Sequence, residues 1–149
     1  LQNELMEKIY EDLNLVAHYI NSIEIVRRQL LDLKAMLKNT NQKEELIGIV
    51  DTLESEFLNV EKQLIQLKVT GTGQDDVRFE KMIGEKLAYL GGNVPIADFK
   101  PSDSYYEVYK LLNARLKNVG VQFDTLKNEK LKETTDKLKE KGIDMIIMN

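Results

Sequence analysis

Seven apolar residues, Leu46, Val50, Leu53, Phe57, Val60, Leu64 and Leu67, follow one another at spacings of 4, 3, 4, 3, 4 and 3. Only a helix that keeps one face against a partner helix has a use for that spacing. A second stripe precedes it: Leu5, Ile9, Leu13, Val16, Ile20, Ile23, Val26, Leu30, Leu33 and Leu37, with no glycine or proline among them. The spacings predict helices over about 3–38 and 42–68. Asn39-Thr40-Asn41 is the only break, and so short a link makes the two helices antiparallel neighbours. Asn41 with Glu44 reads as a capping box for the second helix. At 1.5 Å per residue the helices would run roughly 50 Å and 40 Å.

Five of the eight glycines and both prolines fall between Thr70 and Pro101. Within that stretch a short third helix is predicted over 76–90, with Phe79, Ile83, Leu87 and Leu90 inward. Asp75 or Asp76 suits its start, where free N–H groups favour a carboxylate. Gly91-Gly92 suits its end, where a left-handed residue is needed. A fourth helix is predicted over 103–141, opened by a Ser104/Glu107 capping box. Its stripe is Tyr105, Tyr109, Leu112, Leu116, Val119, Phe123 and Leu126. Gly120 is an internal cost, the stripe thins to Leu131 and Leu138, and Gly142 is the stop. The expected fold is all-α: one domain over 1–149, an antiparallel up-down-up-down four-helix bundle with an apolar C-terminal tail.

Composition narrows the function classes. The chain has 149 residues, enough for a core without disulfide or metal. It has no cysteine, which removes thiol catalysis and cysteine–zinc sites. The net charge of −4 comes with interspersed signs and no basic block, so nucleic acid is not an expected partner. No apolar run approaches the ~20 residues of a membrane span, and membrane insertion is not expected. The chain opens on Leu1 rather than Met and is read as a piece of a larger protein.

The motifs that could carry chemistry are sparse. His18, the single histidine, lies off the stripe, and Tyr19-Ile20-Asn21-Ser22 after it lacks the lysine and glycine of a phosphoacceptor site. One histidine cannot supply the paired Glu-x-x-His of a di-metal bundle or a zinc site. No Gly-x-Ser-x-Gly turn supports serine catalysis. Thr70-Gly71-Thr72-Gly73 looks like part of a phosphate loop, but Gln74-Asp75-Asp76 stands where lysine and serine or threonine would be. A turn and a helix cap is the preferred reading. Glu44-Glu45, Glu54 with Glu56, and Glu129 with Glu133 read as solvated faces, with nothing selecting a glycosidase pair. No catalytic, cofactor or metal residue is assigned, and no cofactor is expected. Two apolar features lie outside the stripes: Tyr10, Leu15, Tyr19, Ile25 and Leu31, and the tail Ile143-Asp144-Met145-Ile146-Ile147-Met148. They are expected to complete the core, with a docking surface as the alternative.

The middle of the chain carries a family text. Gly71-Thr72-Gly73-Gln74-Asp75-Asp76-Val77-Arg78-Phe79 is followed by Gly84-Glu85-Lys86-Leu87-Ala88-Tyr89-Leu90-Gly91-Gly92. Pro101 and Ser104-Tyr105-Tyr106-Glu107-Val108 complete it. This resembles the C-terminal helical region of large bacterial proteins with sortilin-like, BNR-type β-propeller repeats, often labelled sialidase-like glycosyl hydrolases. That region typically shows a Ser/Thr-Gly-Gln-Asp turn, a Lys-Leu-Ala-x-Leu helix and a long helix opening near Tyr-Glu-Val. Asp76 stands where a proline is often found, and 130–141 is richer in lysine and glutamate than the family pattern. The resemblance implies an exported parent, periplasmic or extracellular, with the propeller N-terminal to this chain and as its partner. Any glycosidase activity would belong to the propeller, and none of its catalytic residues can be carried over here. The expected function is a non-catalytic accessory module with a structural or protein-interaction role. The alternatives are a self-associating adaptor, or a module whose Gly71–Asp76 loop completes a glycosidase active site in the parent.

Overall fold

A computed structural model describes residues 2–39, 44–68, 79–94 and 103–144. The described residues are helical apart from short connecting pieces, and no strand occurs among them, so the fold is all-α as expected. The helices are α1 (Gln2–Asn39), α2 (Glu44–Leu64), α3 (Ile83–Asn93), α4 (Asp103–Thr125) and α5 (Leu131–Glu140). A five-residue π-helical turn, Leu126–Lys130, joins α4 to α5, so the fourth helical stretch runs unbroken to Glu140. Two compact units are distinguished. One combines Leu1–His18 with Lys62–Gly120, the other Tyr19–Glu61 with Val121–Asn149.

In the Tyr19–Glu61 unit the α2 stripe is buried at every position from Leu46 to Val60. It packs antiparallel to α1. Arg27 reaches Glu54 and Glu61, while Lys34, two turns further along α1, reaches Asp51, further back along α2. Lys34 and Asp51 meet at 2.6 Å, and that hydrogen bond raises the lysine pKa and lowers the aspartate's. Both side chains are solvated, so the pair marks register more than it stabilises. Leu67, at the end of the predicted stripe, lies beyond α2 and is exposed.

The α1 stripe needs one correction. Leu13 and Ile20 are only half-buried, and Asp12 is buried beside them. Strict 4-3 alternation from Leu5 and Ile9 passes through 12, 16, 19 and 23, so Asp12 and half-buried Tyr19 occupy the grid positions. Of the apolar residues outside the stripe, Tyr10, Leu15, Ile25 and Leu31 are exposed and do not complete the core. Tyr19 does contribute, its ring 5.0 Å from that of Phe123. The apolar tail beyond Asp144 lies outside the described residues, as do Asn41, the Thr70–Gly73 turn and the Asp75/Asp76 cap.

The third helix starts later than predicted. Residues 79–82 are not helical, Phe79 is half-buried, and α3 opens at Ile83. Its start is fixed by Glu85, whose carboxylate accepts the N–H of Met82 at 3.1 Å and the N–H of Gln66 at 2.9 Å. One side chain thus ties the chain just past α2 to the start of α3, accepting one backbone N–H from each. Glu85→Ala is expected to cost about 1–2 kcal/mol in urea unfolding. Glu85→Gln, with a single acceptor oxygen, should recover part of that loss.

Gly91 and Gly92 lie inside α3, which ends at Asn93 and leaves through Val94 in an extended conformation. The expected left-handed stop is therefore not there. Gly91 instead admits the Ile9 side chain, which would stand 3.2 Å from a Cβ. Gly84 makes a closer approach: a Cβ would lie 2.8 Å from the carbonyl oxygen of Leu64 and 3.3 Å from Val16 Cγ1. Gly84→Ala forces backbone apart and is expected to destabilise by about 1–3 kcal/mol. Gly48, inside α2 and facing open space, is the control, and Gly48→Ala should stabilise by about 0.5–1 kcal/mol. Thermal unfolding of both variants against the parent sequence checks the opposite signs.

The end of α5 matches expectation. Gly142 takes φ +80°, its N–H bonds to Lys139 O, and Ile143 N–H bonds to Leu138 O, the paired bonds of a Schellman stop. Ser104 lies inside α4 rather than at its N-cap, so the predicted Ser104/Glu107 capping box is misplaced. The π turn was not expected. Buried positions run Leu112, Leu116, Val119, Phe123, Leu126 and then Leu131, Thr134 and Leu138. The step from Leu126 to Leu131 is five residues, one too many for an α-helical stripe. A single wide turn, with Leu131 N–H bonded to Leu126 O, absorbs the extra residue and returns Leu131 to the buried face.

Candidate functional site

Three groups of side chains have the chemistry to form a site. The first is Arg27 in the Tyr19–Glu61 unit. Its Nε donates to Glu54 Oε1 and its Nη1 to Glu61 Oε1, both at 2.8 Å. Glu61 is fully buried, and among the described residues its Oε2 has no hydrogen-bond donor. Burial raises the Glu61 pKa above the usual carboxylate value against the pull of Arg27, and neighbouring Glu24 adds to the rise. The second is Asp12 in the other unit. Asn113 Nδ2 donates to Asp12 Oδ2 at 2.8 Å and lies 3.2 Å from the Tyr109 hydroxyl. Burial, then hydrogen bonding to Asp12, push the Tyr109 phenol up to about 12. Both groups lie between paired helices, and Arg27 also lines a surface depression of about 290 Å³ with Glu24, Arg28 and Asp32, which are exposed charges of a solvated face.

The third group is a groove along α3 and α4, with a cavity of about 530 Å³. From α3 come Lys86, Tyr89 and Asn93, at the i, i+3 and i+7 positions of one helix face. From α4 come Tyr105, Val108, Leu111 and Arg115 on the matching rows. Tyr89 is 64 % exposed, Leu111 53 % and Val108 46 %, unusual values for large apolar side chains grouped in one place. Lys81 holds its ammonium 5.0 Å from the Tyr89 ring centroid. The adjoining depression is lined by Lys81, Lys86 and Arg115 together with Glu80, Ile83 and Asn118. The three cations therefore stand at one end of the groove, with Asn93 and Ser104 at the other. No Asp, Glu or His is among the residues that line the groove itself. Such a site can bury an apolar group and neutralise an anionic one. Among the described residues that line it there is no acid–base pair for proton transfer.

His18 is exposed on α1, away from the stripe. Glu54 belongs to the buried Arg27 group. Glu45, Glu56 and Glu133 do come together, on a depression of about 420 Å³ shared by α2 and α5. Lys130 and Lys137 alternate with them, as on a solvated ionic face. Glu44 and Glu129 are exposed. The Thr70–Asp76 segment lies outside the described residues. Among the described residues no group of His, Cys, Asp and Glu could hold a metal ion, and no helix is long and apolar enough to cross a membrane. Residue-by-residue reading missed the groove because Val108 and Leu111 acquire meaning only opposite Tyr89. The available signal was a second apolar row on α4, one residue before the main stripe.

No match emerges from comparison with protein families, with curated proteins or with solved structures.

Proposed function

We propose that this chain is a non-catalytic helical module with a structural or protein-contact role, appended to an exported β-propeller protein. The observation that carries this reading is the use of the buried carboxylates. Asp12, Glu54 and Glu61, the acidic groups most shielded from water among the described residues, each hold a side chain of a neighbouring helix. Groups arranged in this way stiffen a scaffold. The propeller context is supported by the 71–108 resemblance. In the propeller-bearing protein, removal of this chain is expected to lower the thermal midpoint of the propeller or change its association state. An unchanged midpoint together with unchanged sedimentation contradicts the proposal.

A further inference from the structure

We propose that the α3–α4 groove is a binding site for the anion of a free medium-chain fatty acid, with the carboxylate at the Lys86/Arg115 end and the aliphatic tail toward Ser104. This goes beyond the structural role and does not depend on it. Size comes first: about 530 Å³ is the scale of a small-ligand site rather than of a protein interface. Polarity comes second. The floor offers Tyr105, Val108, Leu111 and Leu112, whereas the cations gather at one end.

Charge complementarity decides the head group. Among the described residues neither Lys86 nor Arg115 has a carboxylate partner, although the chain carries more acids than bases. Lys81 is already placed over Tyr89. Glu80, the acid of the adjoining depression, leaves three cations against one anion there. A guanidinium beside an ammonium binds a carboxylate through charge-assisted hydrogen bonds. From Ser104 to Arg115 the α4 backbone rises about 16 Å at 1.5 Å per residue, room for an extended tail.

The test uses dodecanoate below its micellar range, titrated into the whole chain by calorimetry. Hexanoate, dodecanol and dodecyltrimethylammonium serve as comparison probes. One dodecanoate per chain is expected, with dodecanol weaker by about tenfold or more for want of the charge. Hexanoate should be weaker still, each lost methylene lowering affinity by about fourfold. K86Q/R115Q, two surface changes whose folding is checked by circular dichroism, should bring dodecanoate down to the level of dodecanol. Leu111→Asn should instead shrink the gap between dodecanoate and hexanoate. Equal binding of the anionic, neutral and cationic dodecyl probes overturns the proposal, as does absence of dodecanoate binding. It is also overturned by binding to phosphatidylglycerol vesicles without binding of monomeric dodecanoate. A dimer that buries the groove and that dodecanoate leaves intact overturns it as well.

Discussion

Deleting Asn128 is expected to leave the protein folded, with a stability within about 1 kcal/mol of the parent sequence or above it. Deleting Lys117 is expected to unfold it or nearly so. Both residues are exposed, both lie in the fourth helical stretch, and each deletion removes one helical position. They differ in what happens to the apolar stripe. Asn128 sits in the π turn, where the Leu126–Leu131 interval already holds one residue more than an α-helix needs. Without it the interval becomes four, the turn relaxes to α geometry, and Leu131, Thr134 and Leu138 stay on the buried face. Lys117 lies in regular helix. Its loss turns Val119, Phe123 and Leu126 by one residue's rotation, about 100°. Each of these side chains is buried and contributes roughly 1.5–3 kcal/mol, so their joint displacement costs more than about 4 kcal/mol. Urea unfolding followed by circular dichroism separates the two outcomes. Equal damage from both deletions would mean that the π turn has a role other than phase correction.

Arg27→Ala is expected to destabilise by about 3 kcal/mol at neutral pH, far beyond an ordinary surface arginine, because it strands Glu61 in the interior. Arg27 is the donor to Glu61 Oε1, and Glu61 is 0 % exposed. Glu61→Gln acts differently. It removes the buried charge and keeps an acceptor for Arg27, so its cost at neutral pH should be small. It should also change the pH profile. The Glu61 pKa is raised by burial first, with Arg27 opposing and Glu24 reinforcing the rise. As pH climbs past the ordinary value of 4.5, the unfolded chain loses this proton while the folded chain still holds it. The unfolded state then binds fewer protons, and stability falls with pH. The contribution is fully present below 4.5 and lost as pH rises through the raised folded value. Glu61→Gln should remove that decline, leaving stability flatter from about pH 4.5 upward. A decline of unchanged slope in Glu61→Gln would assign it to another group.

The helices were legible because the 4-3 spacing in α2 and most of α1 comes from burial against a partner, and burial at those positions followed. The errors cluster where residue identity competed with spacing. Leu13 and Ile20 drew the α1 stripe off its grid because they are apolar, whereas Asp12 and Tyr19 keep the grid by finding Asn113 and Phe123. Gly91-Gly92 read as a stop because glycine so often ends a helix. Gly91 serves close approach to Ile9 instead, a property of tertiary contact that no local rule supplies. The π turn did leave a mark, the five-residue step after Leu126. The groove left less, since Tyr89, Val108 and Leu111 belong to helices whose pairing the text does not state.

Whether the buried polar groups of this chain act as ties between helices is measured most directly by a double-mutant cycle across Asp12 and Asn113. The cycle compares Asp12→Ala, Asn113→Ala and the double variant by urea unfolding. Their 2.8 Å contact joins α1 to α4 across 101 residues of sequence. A coupling of about 1 kcal/mol is expected for a part-buried hydrogen bond to a carboxylate side chain. Strictly additive losses, with no coupling, would contradict it.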